Sequence, residues 1–199
     1  RGSCSNNLRQ LGMAMQMYSS ESGGKFPRLQ NGGLTHQGYR MTEPVFRPFS
    51  FSGVAMYPEY LMDSEVLICP SDKKGIDLYD NGIWEYTDTG LGNHIKNTYD
   101  PRKFGPVSYL YIPWAIKTEW VLDDATRDMD ANFETALLDA STNAGEGDFE
   151  FLDEDGQKRT AHFLKQGINR FMITDINNPA ASHVSDTRIA VMFDIVSIN

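Results

Sequence analysis

Leu8, Leu11, Met15 and Tyr18 recur at helical spacing near the start of the chain, with Ala14 beside them, and make one apolar stripe. Asn6, Asn7, Arg9, Gln10 and Gln16 fall largely off that stripe. Gly23-Gly24 supplies a left-handed stop, and Pro27 keeps the helix from resuming. The pattern predicts a helix over residues 1–24, centred on 5–21, whose one apolar face needs a receiving surface. A helix that runs from the very first residue reads as the lower part of a longer one, with a membrane segment above it.

The remaining punctuation sets the layout. Residues 25–106 are rich in Gly, Pro and Asn-Gly steps and read as a loop-rich insertion region. Within it, residues 57–62 suggest a short helical turn ahead of Glu65-Val-Leu-Ile68. Residues 107–199 carry the strand signals: Val107–Ile112 alternates, and Asp148–Leu152 and Gln157–Leu164 alternate across Asp153-Glu-Asp-Gly156, a hairpin pattern. Arg170–Thr174 and Arg188–Phe193 read as closing strands, the second more apolar and more central. Ala131–Ala140 reads as a helix with Phe133, Leu137 and Leu138 inward. One domain over 1–199 follows, of the α+β class: an N-terminal helix packed on an antiparallel sheet with long loop insertions.

Charge narrows the function classes. Twenty-seven acidic against eighteen basic residues give a formal net charge of −9, which argues against a nucleic-acid partner and against docking on an anionic membrane surface. No apolar run is long enough to span a bilayer, and no signal peptide is visible.

Catalytic patterns are missing. His36, His94, His162 and His183 are scattered, with no His-Glu-x-x-His pair. There is no nucleophile elbow and no phosphate-cradling loop. Asp128-x-Asp130-x-Asn132 opens like a calcium loop, but Phe133 stands where that loop needs Gly and Asp139 where it needs Glu. An acidic helix start is the better reading. Asp123-Asp124 and Asp153/Asp155 sit in turn-like contexts and make no glycosidase pair. No cofactor, metal or catalytic set is expected, and the chain reads as non-enzymatic.

Trp84, Trp114 and Trp120 fall with several tyrosines in the loop-rich middle. Such rings suit either a ligand surface for sugars or a cover for the core under the insertions. The core reading is favoured, with Trp84 the best candidate for exposure.

Cys4-x-x-Asn7-Leu8-x-Gln10-Leu11-Gly12-x-Ala14, with its Gly23-Gly24…Phe26-Pro27 exit, resembles the post-transmembrane part of type IV pilin-like proteins, the pseudopilin group. Leu61–Asp72, with its Cys69-Pro70-Ser71-Asp72 element, and Gly167–Ala181 are similar to the prepilin-type processing-associated branch. The family's leader, its apolar half-helix and its terminal His-x9-Asp-Gly element do not occur here; His183 before Phe193-Asp194 is the nearest approach.

The resemblance implies a structural subunit of a type II secretion or type IV pilus-like filament. Its partners would be other pilin-like subunits, plus a prepilin peptidase acting on the precursor. It would be periplasmic or at the cell surface, held in the inner membrane before assembly through an upstream helix. Leu8, Leu11, Met15 and Tyr18 would then dock the helix. Cys4 and Cys69, the two cysteines of the chain, are either buried free thiols or, in the oxidising compartment that the resemblance implies, a staple. A glycan- or peptide-binding surface module on the same scaffold is the alternative function.

Overall fold

The computed structural model describes residues 2–30, 49–87, 93–116, 120, 130–143, 145–166 and 192–194. The apolar stripe folds as helix α1, Gly2–Glu21. Gly23 and Gly24 both adopt positive φ, +64° and +83°. The Gly24 N–H closes back on the Ser19 carbonyl at 2.8 Å, the six-residue closure of a Schellman stop.

A short helix α2, Gly53–Met56, lies just ahead of the 57–62 stretch where the sequence suggested a helical turn, and residues 57–60 follow it as a turn. Pro58 explains the displacement: the residue before a proline avoids the helical region, and Tyr57 sits at φ −104°, ψ 136°. Glu65–Ile68 lies largely in a 3₁₀ turn, Ser64–Leu67, where the Asp63 carboxylate accepts the Glu65 N–H at 2.8 Å.

The loop-rich reading of 25–106 is corrected within its second half. Helix α3 spans Lys73–Asp80, and strands β1, Glu85–Thr87, and β2, His94–Tyr99, pair antiparallel across a register shift. Asp72 starts α3 by accepting the Gly75 N–H at 3.0 Å. A 3₁₀ turn, Pro101–Lys103, follows.

Strand β3, Tyr109–Tyr111, pairs antiparallel with β6, Met192–Asp194, so the two apolar strands expected around 110 and 192 do meet. Helix α4 spans Ala131–Asn143, with the Asp130 carboxylate accepting the N–H groups of Asn132 and Phe133 at 2.8 and 2.9 Å. The hairpin forms as read: β4, Phe149–Leu152, runs antiparallel to β5, Lys158–Ala161, with Gly156 at φ +72° in the turn. The strand expected at Arg170–Thr174 lies outside the described residues, as do His36, His183, Asp123-Asp124, Asp128 and the Gly167–Ala181 stretch.

The architecture is α+β, an N-terminal helix with small antiparallel sheets and loops. Among the described residues the ladders are three two-stranded pairs rather than one continuous sheet. They share one cluster of buried side chains reaching from Cys4 and Leu11 through Phe51, Trp84 and Tyr111 to Phe151 and Phe163. Single bridges add to these ladders, including Lys25 to Lys165 and, within the core, Trp114 to Phe163.

Candidate functional site

Helix α1 and the segment it is fixed to form the site that the sequence singles out. Leu11 and Met15 are fully buried, and Leu8 and Tyr18 are half-buried against the same cluster. The stripe extends further than the four named residues. Cys4 begins it and Ser19 ends it, both buried, so the inward positions run 4, 8, 11, 15 and 19. At the lower end the Tyr18 and Tyr60 rings meet edge to face, 5.4 Å between centroids. The Tyr60 hydroxyl donates to the Glu21 carboxylate at 2.6 Å. That bond to an anion, reinforced by burial, pushes the Tyr60 phenol up to about 12.

At the upper end Cys4 is disulfide-bonded to Cys69, Cα to Cα 5.1 Å. Beside the bridge, the Asn7 side-chain amide donates to the Ile68 carbonyl at 2.9 Å. Cys69 ties the segment to α1, Pro70 and Ser71 form the turn closed by Asp72 N–H to Cys69 O at 2.9 Å, and Asp72 caps α3. The second Asp72 oxygen accepts the Ser108 hydroxyl at 2.8 Å, which links this turn to the start of β3. Sequence reasoning found the cysteines and Asn7 in one run but missed the Asn7–Ile68 bond and the capping role of Asp72; an Asp just ahead of a short helical stretch was the available signal.

The three tryptophans do not form a ligand surface. Trp84, expected to be the most exposed, is 1% exposed; Trp114 and Trp120 are at 0% and 5%. They also belong to different groups. Trp84 packs with Tyr79 and Phe104, whereas Trp114 and Trp120 pack with Phe149, Phe163, Phe133 and Phe151. Trp84 turns inward because its large apolar ring finds packing partners in Tyr79 of α3 and in Phe104 after the Pro101–Lys103 turn.

Charged groups are used for local structure. Arg102 forks onto Asp100 with two bonds of 2.8 Å, and that guanidinium holds the Asp100 carboxyl below its ordinary value. Asp148 is pushed up by burial, but its bonds to His162 at 2.9 Å and to the Phe163 N–H at 2.8 Å outweigh this and lower it. Among the described residues no three His, Cys, Asp or Glu side chains converge on a metal-sized point, and no helix is long and apolar enough to cross a membrane.

Residues 1–51, a stretch that contains the whole of α1 and its Gly-Gly…Phe-Pro exit, match a family model described as a protein of unknown function (DUF1559). No curated protein and no solved structure matches the chain. The start of this chain is thus similar to that family, and the similarity falls on the helix that the disulfide holds.

Proposed function

We propose that this chain is the extracytoplasmic domain of a pilin-like filament subunit, of the pseudopilin or type IV pilin kind, with a structural and non-enzymatic role. The observation that carries the reading is the coincidence of the family match over residues 1–51 with a helix buried on one face and bridged at its first turn. That family is associated with pilin-like, prepilin-type proteins. The disulfide adds support, because such bonds persist outside the cytoplasm.

On this reading α1 is the domain-packed lower part of a longer helix. A prepilin peptidase trims the precursor, the upstream apolar helix holds the subunit in the inner membrane, and helices then pack into a type II secretion or type IV pilus-like filament. The bridge and the buried stripe would keep the domain in fixed register with the helix during assembly.

The test is the encoding gene upstream of the Arg1 codon, followed by expression of the complete chain with a prepilin peptidase. A leader junction resembling Gly-Phe-Thr-Leu-Ile-Glu, a cleavage shift and recovery in a sheared surface fraction are expected. The 1–199 domain alone should sediment mainly as monomer at micromolar concentration. An uncleaved full chain, or a tight and salt-resistant dimer of the bare domain, would refute the reading. The glycan- or peptide-binding alternative loses its main support, since the rings it relied on are buried.

A further inference from the structure

Three methionines within five residues of α1 face opposite environments. Met15 is fully buried in the core, while Met13 and Met17 are 48% and 56% exposed. Thirteen and seventeen are one helical turn apart and lie on the side away from the Cys4–Ser19 stripe. Elsewhere Met62 is 84% exposed and Met56 is buried at 1%. Residues 13, 15 and 17 share one helix and differ in what surrounds the side chain: core for Met15, solvent for Met13 and Met17.

We propose that Met13 and Met17 form an oxidation-modifiable patch on the outer face of α1, with Met15 between them spared. The co-reactant is a peroxide. Its O–O bond breaks, one oxygen bonds to the thioether sulfur, the other leaves as water, and the sulfur loses two electrons to give a sulfoxide. A flexible apolar side chain becomes a polar one that accepts strong hydrogen bonds. Oxidation at 13 and 17 therefore converts the patch from apolar to polar without touching the buried stripe. Thiol-dependent sulfoxide reductases, which return the sulfur to the thioether at the cost of two thiols, make the change reversible. The inference does not depend on the filament reading, because it uses only the burial of these side chains.

Folded 1–199 protein is treated with hydrogen peroxide and quenched at intervals, and the α1 peptide is fragmented by mass spectrometry to place each added oxygen. Met13 and Met17 should oxidise together with the exposed Met62, and Met15 at least about tenfold more slowly, because reaction there needs local opening. Rates at Met15 within about twofold of its neighbours, or rates at Met13 and Met17 as slow as at Met15, would overturn the proposal. The double variant Met13→Gln/Met17→Gln imitates the polar state. It should keep the melting temperature within about 2 °C, as surface changes do in a domain of this size. A larger fall would show that these side chains support the core and would overturn the proposal equally.

Discussion

The Tyr111 hydroxyl donates to the Pro27 carbonyl at 2.5 Å, joining the middle of the chain to the residue that ends the α1 exit. Tyr111 is fully buried, and burial pushes its phenol well above the ordinary value, so the group stays a neutral donor. Removing the hydroxyl strands a carbonyl whose replacement partner would have to be water. Tyr111→Phe should cost about 1–3 kcal/mol. Urea denaturation would register this as a lower midpoint at unchanged slope.

Burial separates neighbouring positions on α1. Leu11 is fully buried, so Leu11→Ala should cost ~2–5 kcal/mol through lost transfer energy and the cavity left behind. Met13→Ala, on the exposed side, should stay within about 0.5 kcal/mol. Equal effects in thermal melts would show that the helix is not docked through this stripe.

Legibility in the sequence tracked how local each determinant was. The β4–β5 hairpin was readable because its alternation and its Asp153–Gly156 turn lie within about a dozen residues; the structure adds the Asp153 carboxylate, which accepts the Gln157 N–H and the Arg159 guanidinium, each at 2.7 Å. Helix α1 was readable for the same reason, through its stripe and its Gly-Gly stop. Helix α3 and the β1–β2 pair were not. Their Asn, Gly and Asp residues resemble loop punctuation, and what orders them is a remote set of contacts: Tyr79 stacked on Tyr99 with hydroxyls 2.7 Å apart, and Ser64 reaching Tyr79 at 3.1 Å. Tyr79 also meets the Trp84 ring edge to face, and Phe104 packs on it, so remote partners cover a ring set in a loop-like stretch and its exposure was misread. Both halves of the stapled site were visible as two cysteines, but not the Asn7 bond that aligns them.

Gly53 stands where a side chain has no room. A Cβ there would overlap the Pro101 carbonyl oxygen and press on the Phe104 ring at 2.8 Å. Gln30 ties the same place together, accepting the Gly53 N–H at 2.8 Å and donating to Pro101 O at 2.9 Å. Gly53→Ala should therefore destabilise by about 1–3 kcal/mol despite the better helix propensity of alanine. A neutral or stabilising effect in a denaturant series would mean that α2 and the Pro101 turn are not in contact.

Acid should weaken the fold through specific carboxylates. Arg102 holds Asp100 below its ordinary value, Arg159 does the same for Asp153, and hydrogen bonds from His162 and the Phe163 N–H outweigh burial at Asp148. A carboxyl with a lower value folded than unfolded contributes fully above the unfolded pKa of about 4, and that contribution disappears as pH falls through the folded value. Stability should thus decline below about pH 4, and Asp100→Asn should flatten part of that decline. An identical acid profile in the variant would remove Asp100 from the account.

The Cys4–Cys69 bridge closes a span of 65 positions. In the chain-entropy model a loop of that size contributes about 4 kcal/mol by restricting the unfolded chain. Its local effect should be concentrated at the start of α1. Between Gly2 and Asn7 only Cys4 is buried, so little besides the bridge and the Asn7–Ile68 bond holds those residues against the core. Oxidised protein should show a mass two hydrogens lighter than the reduced form and resist thiol labelling. Cys4→Ser should lower the unfolding midpoint and raise amide exchange in the first two turns of α1, leaving exchange around Leu11 and Met15 nearly as slow as before. Uniform loss of protection along the helix would instead make the bridge a condition for docking α1 at all.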